Sequence, residues 1–321
     1  MKLTIIVPVF NVRDYVETCL QSLLSQNVPV GDYEIIVIND GSSDDSWDIV
    51  RRETISCENV VLLEQENQGL SATRNRGVRS ARGDYVWFVD SDDWIDENCL
   101  KNIFDELNGC DVLALCHMYE EGDWSGLKKY SVKKGTCSKK DYLTQDFPFP
   151  AQFYICRREF LIKEHVEFVV GIKHEDCLFT PIAIAKSHVF KILEKPVYHF
   201  RKRPNSITTV IDPKRAYDYG FIIDKLFEYR NNELNFSLIV EFDSVIARVV
   251  KAHLSLSSNL DKQDKKKMDL FYCERKQILK CLLHSKLNSK LFYYACRILP
   301  VSIVKLYGCF DVCVTALRRF V

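Results

Sequence analysis

Over its first 120 residues the chain alternates short, continuous apolar runs with segments whose apolar residues recur every three or four positions. A strand that reads as an unbroken apolar run must be covered on both faces, and helices carried between parallel strands are what cover it. The runs are Leu3–Phe10, Tyr33–Asn39, Val60–Glu64, Tyr85–Asp90 and Asp111–His117. Between the first two, Val12, Tyr15, Val16, Cys19, Leu20, Leu23 and Leu24 trace one helix face. After the fourth, Ile95, Cys99, Leu100, Ile103, Phe104 and Leu107 do the same. In an open sheet of this kind ligands bind beyond the carboxyl ends of the strands. There the sequence reads Val9-Phe10-Asn11, Asn39-Asp40-Gly41-Ser42-Ser43-Asp44, Glu66-Asn67-Gln68-Gly69 and Asp90-Ser91-Asp92-Asp93, which is polar, acidic and glycine-marked.

Residues 121–150 lose the alternation and are expected to form an exposed excursion before the chain returns at Ala151–Arg157. From 213 onward the period is helical, around Tyr217–Tyr229, Leu238–Leu256 and Leu270–Leu283. The expected division is a catalytic domain over 1–210 and a helical region over 211–321. With 321 residues and 47% hydrophobic content, the chain is long and apolar enough to fold rather than remain disordered. Residues 261–321 carry 13 Lys+Arg against 5 Asp+Glu, leaving 31 against 39 for the rest. An acidic body argues against nucleic-acid binding and suits carboxylate coordination of a metal, while a basic tail favours an anionic surface. The 13 cysteines include no CxxC pair, so neither a zinc site nor a disulfide framework is suggested and a reducing cytoplasm fits. The apolar N-terminus is short and interrupted by Pro8, which reads as a buried strand rather than a signal peptide.

Asp90, Asp92 and Asp93 follow directly on a buried strand. Crowded carboxylates repel, and a hard divalent cation with bound phosphate oxygens relieves that repulsion. The plainer alternative is a turn whose aspartate caps a helix beginning near Ile95.

The opening Ile6-Val7-Pro8-Val9-Phe10-Asn11, then Ile38-Asn39-Asp40-Gly41-Ser42-Ser43-Asp44, then Asn67-Gln68-Gly69-Leu70-Ser71-Ala72-Thr73-Arg74-Asn75-Arg76-Gly77, then Asp90-Ser91-Asp92-Asp93, stand in a telling order. In that order they resemble family 2 of the inverting glycosyltransferases, which have the GT-A fold. The stretch from His174 to Phe179 resembles the segment carrying that family's catalytic base. The stretch from Tyr198 to Thr208, with Arg201, Arg203 and Ser206, is similar to the one that closes over the donor in bacterial capsule and exopolysaccharide members. The resemblance implies an α/β fold with a Rossmann-like, mostly parallel sheet flanked by helices, followed by a helical C-terminal region. It also implies a nucleotide-sugar donor, commonly a UDP-sugar, and a saccharide or lipid-linked saccharide acceptor in cell-surface polysaccharide synthesis.

By that resemblance Pro8, Val9, Phe10, Asn11 and Asp40 hold the nucleotide base. Asp90, beside Ser91, faces the ribose, and Asp92 binds Mn²⁺ or Mg²⁺ bridging the donor phosphates. The family often shows two acids where this chain has Asn39-Asp40, which leaves Asn39 without an assigned contact. Asp176 is the candidate general base: an inverting transfer is a single displacement, so one carboxylate on the acceptor side suffices. The alternative is that Glu175 and Asp176 only start a helix and stabilise its positive end. Arg74, Arg201 and Arg203 offer planar donors to diphosphate oxygens or are simply solvated. His199 is either a further metal ligand or a packed strand histidine.

No window of Leu291–Val321 supplies the roughly 20 clean apolar residues of a spanning helix. Drawn as a helix from Val301, it places Lys305, Gly308, Asp311, Thr315, Arg318 and Arg319 on one side and Ile303, Leu306, Tyr307, Phe310, Val314 and Leu317 on the other. With the Lys262–Lys267 segment, that pattern suits peripheral contact with an anionic membrane on the inner face of the plasma membrane, packing on its own domain, or a homodimer contact. Two rival functions stand beside the transferase: a sugar-phosphate nucleotidyltransferase, which lacks its expected Gly-rich loop here, and a non-catalytic transferase-like binding module.

Overall fold

The computed structural model describes residues 1–120, 128–130, 138–145, 147, 149–201, 212–284, 287–298 and 302–307. The expected alternation takes the form β1 (Leu3–Val9), α1 (Val16–Leu24), β2 (Tyr33–Asn39), α2 (Ser46–Thr54), β3 (Val60–Glu64), α3 (Leu70–Ser80), β4 (Tyr85–Phe88), β5 (Trp94–Ile95) and α4 (Leu100–Leu107). There follow β6 (Val112–Glu120), β7 (Lys128–Tyr130), α5 (Lys139–Thr144), β8 (Tyr154–Arg157), α6 (Arg158–Lys163), α7 (Asp176–Lys186) and β9 (Phe190–Arg201). Four helices come last: α8 (Pro213–Asn232), α9 (Ile239–Ser257), α10 (Lys262–Glu274) and α11 (Leu287–Ile298).

The strands form one sheet in the order β3-β2-β1-β4-β8-β6-β9-β5, with β7 added to β6. The half from β3 to β4 is parallel. Beyond it β8 runs antiparallel to both β4 and β6, β6 and β9 are parallel, and β5 closes antiparallel on β9. β1, β2 and β4 are buried along their whole length, which is why they read as unbroken apolar runs, whereas β3 at the edge is half-buried or exposed throughout. Pro8 lies past Ile6, where pairing with β4 ends, so its missing N–H costs the ladder nothing. α3 lies so close on β1 that a Cβ at Gly77 would stand 2.4 Å from Ile6 Cγ2, and glycine alone fits there.

The structure departs from the sequence reading in two places. The helix expected near Ile95 begins at Leu100, preceded by Cys99 with no side-chain cap. Trp94 and Ile95 are drawn into the sheet instead, opposite His199 and Tyr198 of β9. The 121–150 segment is not wholly an exposed excursion: Lys128–Tyr130 pairs with β6, and α5 buries Tyr142 and Leu143.

Contacts group the chain into two units, Met1–Ser138 with Pro148–Gly171 and Ile182–Pro204, and Lys139–Phe147 with Ile172–Pro181 and Asn205–Val321. All the strands belong to the first unit. In the second, α8 and α9 pack through Ile222, Ile223, Leu226, Phe242, Val245, Ile246 and Val249, all buried. A two-point ion pair joins the same helices, Arg230 Nε to Asp243 Oδ1 at 2.8 Å and its Nη2 to Oδ2 at 3.0 Å. α8 starts at Pro213 behind Asp212, whose carboxylate accepts from Lys214 N at 2.9 Å. The turn at 303–307 packs on this unit: Asp269 accepts from Ser302 Oγ at 2.5 Å and Val304 N at 3.0 Å, and Tyr307 meets Phe292 edge-on. The rest of the expected amphipathic helix, including Gly308, Asp311, Thr315, Arg318 and Arg319, lies outside the described residues. Among those described, no helix is long and apolar enough to cross a membrane.

His253 is fully buried on α9, its Nδ1 2.7 Å from Tyr272 Oη and its Nε2 3.1 Å from Met268 Sδ. Burial depresses its pKa to about 3, so the folded state holds it neutral where the unfolded chain, with an ordinary value near 6.5, takes up a proton. The neutral imidazole therefore stabilises the fold fully above about pH 6.5 and progressively less on acidification toward about pH 3. Replacing it by glutamine should remove about 2 kcal/mol of the stability lost between about pH 7 and about pH 5. Denaturant unfolding of wild type and His253→Gln at those two pH values measures it.

Candidate functional site

The loops after β1 and β2 are built as one surface. Asn11 adopts a left-handed conformation (φ 51°), and its Oδ1 accepts from Ser43 N at 2.8 Å while Ser42 Oγ accepts from Asn11 N at 3.2 Å. Ser46 Oγ accepts from Val12 N at 2.8 Å, and Asp44 accepts from Arg13 N at 3.2 Å and Ser46 N at 3.0 Å. Burial works against the Asp44 charge, but hydrogen bonds from the Ser46 hydroxyl and these amides hold its carboxyl below the ordinary range. Asn39, the position without an assigned contact, turns inward to accept from Ser42 N at 2.9 Å. Pro8 and Val9 are buried in β1, whereas Phe10 and Asn11 face outward, Phe10 with 47% of its surface exposed.

Asp40 is buried and engaged within the chain. Its Oδ1 accepts from Gln65 Nε2 at 2.7 Å and Gln68 N at 2.9 Å, and its Oδ2 from Gly69 N at 2.9 Å. The carboxylate thus caps the start of α3 from the neighbouring strand end, where a negative charge is favoured. Gly69 makes the approach possible with φ 85°, a conformation side chains rarely adopt.

The loop after β4 is a tight turn, closed by Asp93 N donating to Asp90 O at 3.0 Å. Its three aspartates are each held differently. Asp90 accepts from the buried Arg74 Nη2 at 2.7 Å, and that guanidinium lies over the rings of Phe88 and Phe168. Asp93 is buried and accepts from Tyr198 Oη at 2.6 Å and Arg201 N at 2.8 Å. Burial, then the charges of Asp92 and Asp90, push its carboxyl well above the usual range. Asp92 is half-buried, and its carbonyl accepts from Arg201 Nε at 3.1 Å. Ser91 is buried in the same turn.

β9 brings the other half of this site. Tyr198, fully buried, spans the turn by donating to Asp93 and accepting from Asp90 N at 3.2 Å. Arg201 stacks over Tyr15 and Trp94, 5.3 and 4.6 Å from the ring centroids. His199 is directed to Asp96, Nε2 to Oδ1 2.7 Å, with its ring parallel to that of Trp94. Among the described residues, no three His, Cys, Asp or Glu side chains come together as a ready-made metal set. Arg203 and Ser206 lie outside the described residues. The structure therefore gathers Asp90, Ser91, Asp92 and Arg201 at one turn, with Arg74 beneath it, and sets His199 toward Asp96.

Asp176 opens α7 and groups with the second unit. The residue before Glu175, His174, is left-handed (φ 63°), stacks on Tyr219 at 4.6 Å and accepts from Arg215 Nε at 3.0 Å. Burial, with the Arg215 charge next, lowers the His174 pKa to about 4, so the imidazole is neutral at physiological pH. Tyr15, Trp94, Asp96 and Tyr198 were not singled out by sequence reasoning. A signal existed only for those on strands, since the period of two along β9 sets His199 and Arg201 on one face and Tyr198 on the other.

The model of Glycosyl transferase family 2 matches residues 4–165. The chain is 30% identical over 221 residues to the uncharacterized glycosyltransferase EpsJ of Bacillus subtilis, covering 64% of this chain and 63% of that protein. It is 28% identical over 296 residues to the poly(ribitol-phosphate) beta-glucosyltransferase of Bacillus spizizenii, covering 89% of this chain and 45% of the relative. It thus spans under two thirds of either relative. The crystal structure of S. aureus TarS 1–349 in complex with UDP-GlcNAc shares its fold, with a TM-score of 0.77 at 21% identity over 98% of this chain and 92% of that one.

Arg74→Ala should leave Asp90 charged and half-buried beside Asp92 without its cation. Removing one partner of such a pair costs on the order of 3–5 kcal/mol, and the loss should appear as a lower urea midpoint with an unchanged m-value.

Proposed function

Since the chain belongs to glycosyl transferase family 2, we propose that it is an inverting glycosyltransferase that moves a sugar from a nucleoside-diphosphate donor, a UDP-sugar, to a hydroxyl of a cell-surface polymer or its lipid-linked precursor. Residues 1–210 form its catalytic domain in this reading. The observation that carries it is the acidic turn at the carboxyl end of the parallel strands, where Asp90 and Asp92 stand beside Arg201. The UDP-GlcNAc in complex with TarS supports the donor class, and the poly(ribitol-phosphate) of the Bacillus spizizenii glucosyltransferase supports a polyol or saccharide acceptor. Ten free cysteines among the described residues fit a reducing compartment.

The base is assigned to the surface of Phe10 and Asn11, with Pro8 and Val9 as its floor. Asp40 supports that surface through α3 and has at most one acceptor position left for a ring N–H. Asp90 faces the ribose, beside Ser91. The turn fits a divalent cation of the Mg²⁺ or Mn²⁺ type, because such ions are ordinarily held by one or two carboxylates and completed by substrate phosphates, which is what Asp92 beside Asp90 provides. A cation there neutralises charge on the departing diphosphate. Arg201 adds a planar donor on the same side, and Arg203 and Ser206 are assigned to the segment that follows it.

Asp176 is the general base. The acceptor oxygen forms a bond to the anomeric carbon while the bond from that carbon to the diphosphate oxygen breaks, UDP leaves with the electron pair, and the hydroxyl proton passes to the Asp176 carboxylate. His174, neutral and held by Arg215 and Tyr219, fixes the turn from which Asp176 starts. A non-catalytic module would bind donor and do nothing more. Asp176→Asn should therefore lower kcat for transfer or slow donor hydrolysis by about 10²- to 10⁴-fold while calorimetry finds UDP affinity in Mn²⁺ unchanged. Hydrolysis that survives the substitution would dismiss Asp176 as base.

A further inference from the structure

His199 and Arg201 share one face of β9, and β5 sets Trp94 directly opposite His199 and diagonal to Arg201. The side chains use that arrangement fully. Trp94 lies on His199 with ring centroids 5.1 Å apart at 11°, and the Arg201 guanidinium lies 4.6 Å from the Trp94 centroid and 5.3 Å from that of Tyr15. Asp96 Oδ1 stands 2.7 Å from His199 Nε2 and fixes the ring that Trp94 rests on. At the far end Arg201 reaches the acidic turn, through Nε to the Asp92 carbonyl at 3.1 Å and through its backbone N to Asp93 at 2.8 Å.

We propose that Asp96, His199 and Trp94 form a positioning stack that fixes the Arg201 guanidinium beside the acidic turn to receive the donor diphosphate, and that His199 serves this stack rather than ligating a metal. The inference rests on the donor reading above. A guanidinium held over two aromatic rings and anchored through Nε has little rotamer freedom left to lose when its remaining N–H groups meet phosphate oxygens. A carboxylate on one imidazole nitrogen also accompanies metal-bound histidines. Here the surroundings decide. No trio of His, Cys, Asp and Glu forms a cation set among the described residues, both Asp93 oxygens already accept hydrogen bonds from β9, and His199 Nε2 is already paired with Asp96. The stack also accounts for the strand that displaced the expected helix start. Had Trp94 begun a helix, its ring would not lie in register with His199.

The test uses the full chain and calorimetric binding of UDP and of uridine, each with and without Mn²⁺, in wild type, Trp94→Leu, Trp94→Phe, His199→Gln and Asp96→Asn. Trp94→Leu should weaken UDP binding about tenfold, with Trp94→Phe restoring most of it. His199→Gln and Asp96→Asn should weaken it in the same direction. Uridine binding, and the factor by which Mn²⁺ strengthens UDP binding, should stay at their wild-type values throughout. Adding Arg201→Ala to Trp94→Leu should cost nothing beyond Arg201→Ala alone. Equal losses for uridine and UDP would reduce the stack to a merely structural element and overturn the proposal. Loss of the Mn²⁺ effect in His199→Gln alone would overturn it in favour of metal ligation. If Trp94→Leu fails to fold, His199→Gln and Asp96→Asn decide by the same measurements. Wild type that binds no UDP would bring down the donor reading, and the stack with it.

Discussion

Three aspartates crowd within four residues at the end of a buried strand, and the contacts around them hold the turn that carries them. Arg74 lies beneath Asp90, Tyr198 and the backbone of Arg201 hold Asp93, and Arg201 reaches the carbonyl of Asp92. Repulsion among the three would otherwise spread the turn. Its cost shows in Asp93, driven toward the neutral form by burial and by its two neighbours. Two of these aspartates, Asp90 and half-buried Asp92, stand side by side in one turn, which suits a cation that arrives with phosphate rather than one caged by protein.

Elements of both halves of the sheet deliver partners to that turn. The parallel half of the sheet sets the loops after β1, β2 and β4 at one edge, and the hydrogen bonds of Asn11 with Ser42 and Ser43 and of Arg13 N with Asp44 fuse the first two of them. Asp40 ties the second loop to α3, and α3 carries Arg74. β9, parallel to β6 and antiparallel to β5, returns from far along the sequence to supply Tyr198 and Arg201. A site for an anionic ligand is thus assembled from strands about 100 residues apart, with one balancing cation, Arg74, from the parallel half of the sheet and another, Arg201, from β9.

Much of this was legible in the sequence, for definable reasons. Tyr33–Asn39 and Val60–Glu64 coincide with β2 and β3; β2 stands out because a strand covered on both faces is mostly apolar, and β3 because its β-branched Val60 and Val61 with Leu62 and Leu63 favour a strand even at a half-exposed edge. The motif from Asn67 to Gly77 was visible, but not its structural work: Gly69 and Gln68 donate to Asp40, Asn75 clasps the backbone of Phe168, and Gly77 makes room for Ile6. Ile95 misled because its spacing to Cys99 and Ile103 is helical, while the strand that claims it lies 100 residues later. Gln65 on Asp40 and Asp96 on His199 had no local signal at all, since side-chain pairs across such separations are fixed by the fold and not by spacing.

The central claim is that the turn from Asp90 to Asp93 receives a cation and a diphosphate together. A crystal structure grown with UDP and Mn²⁺, with data at the manganese absorption edge, tests it most directly. The account predicts one anomalous peak joining the Asp92 carboxylate to both UDP phosphates, with the uracil against Phe10 and Asn11. UDP bound elsewhere on the chain, or manganese that ignores Asp92, would contradict it.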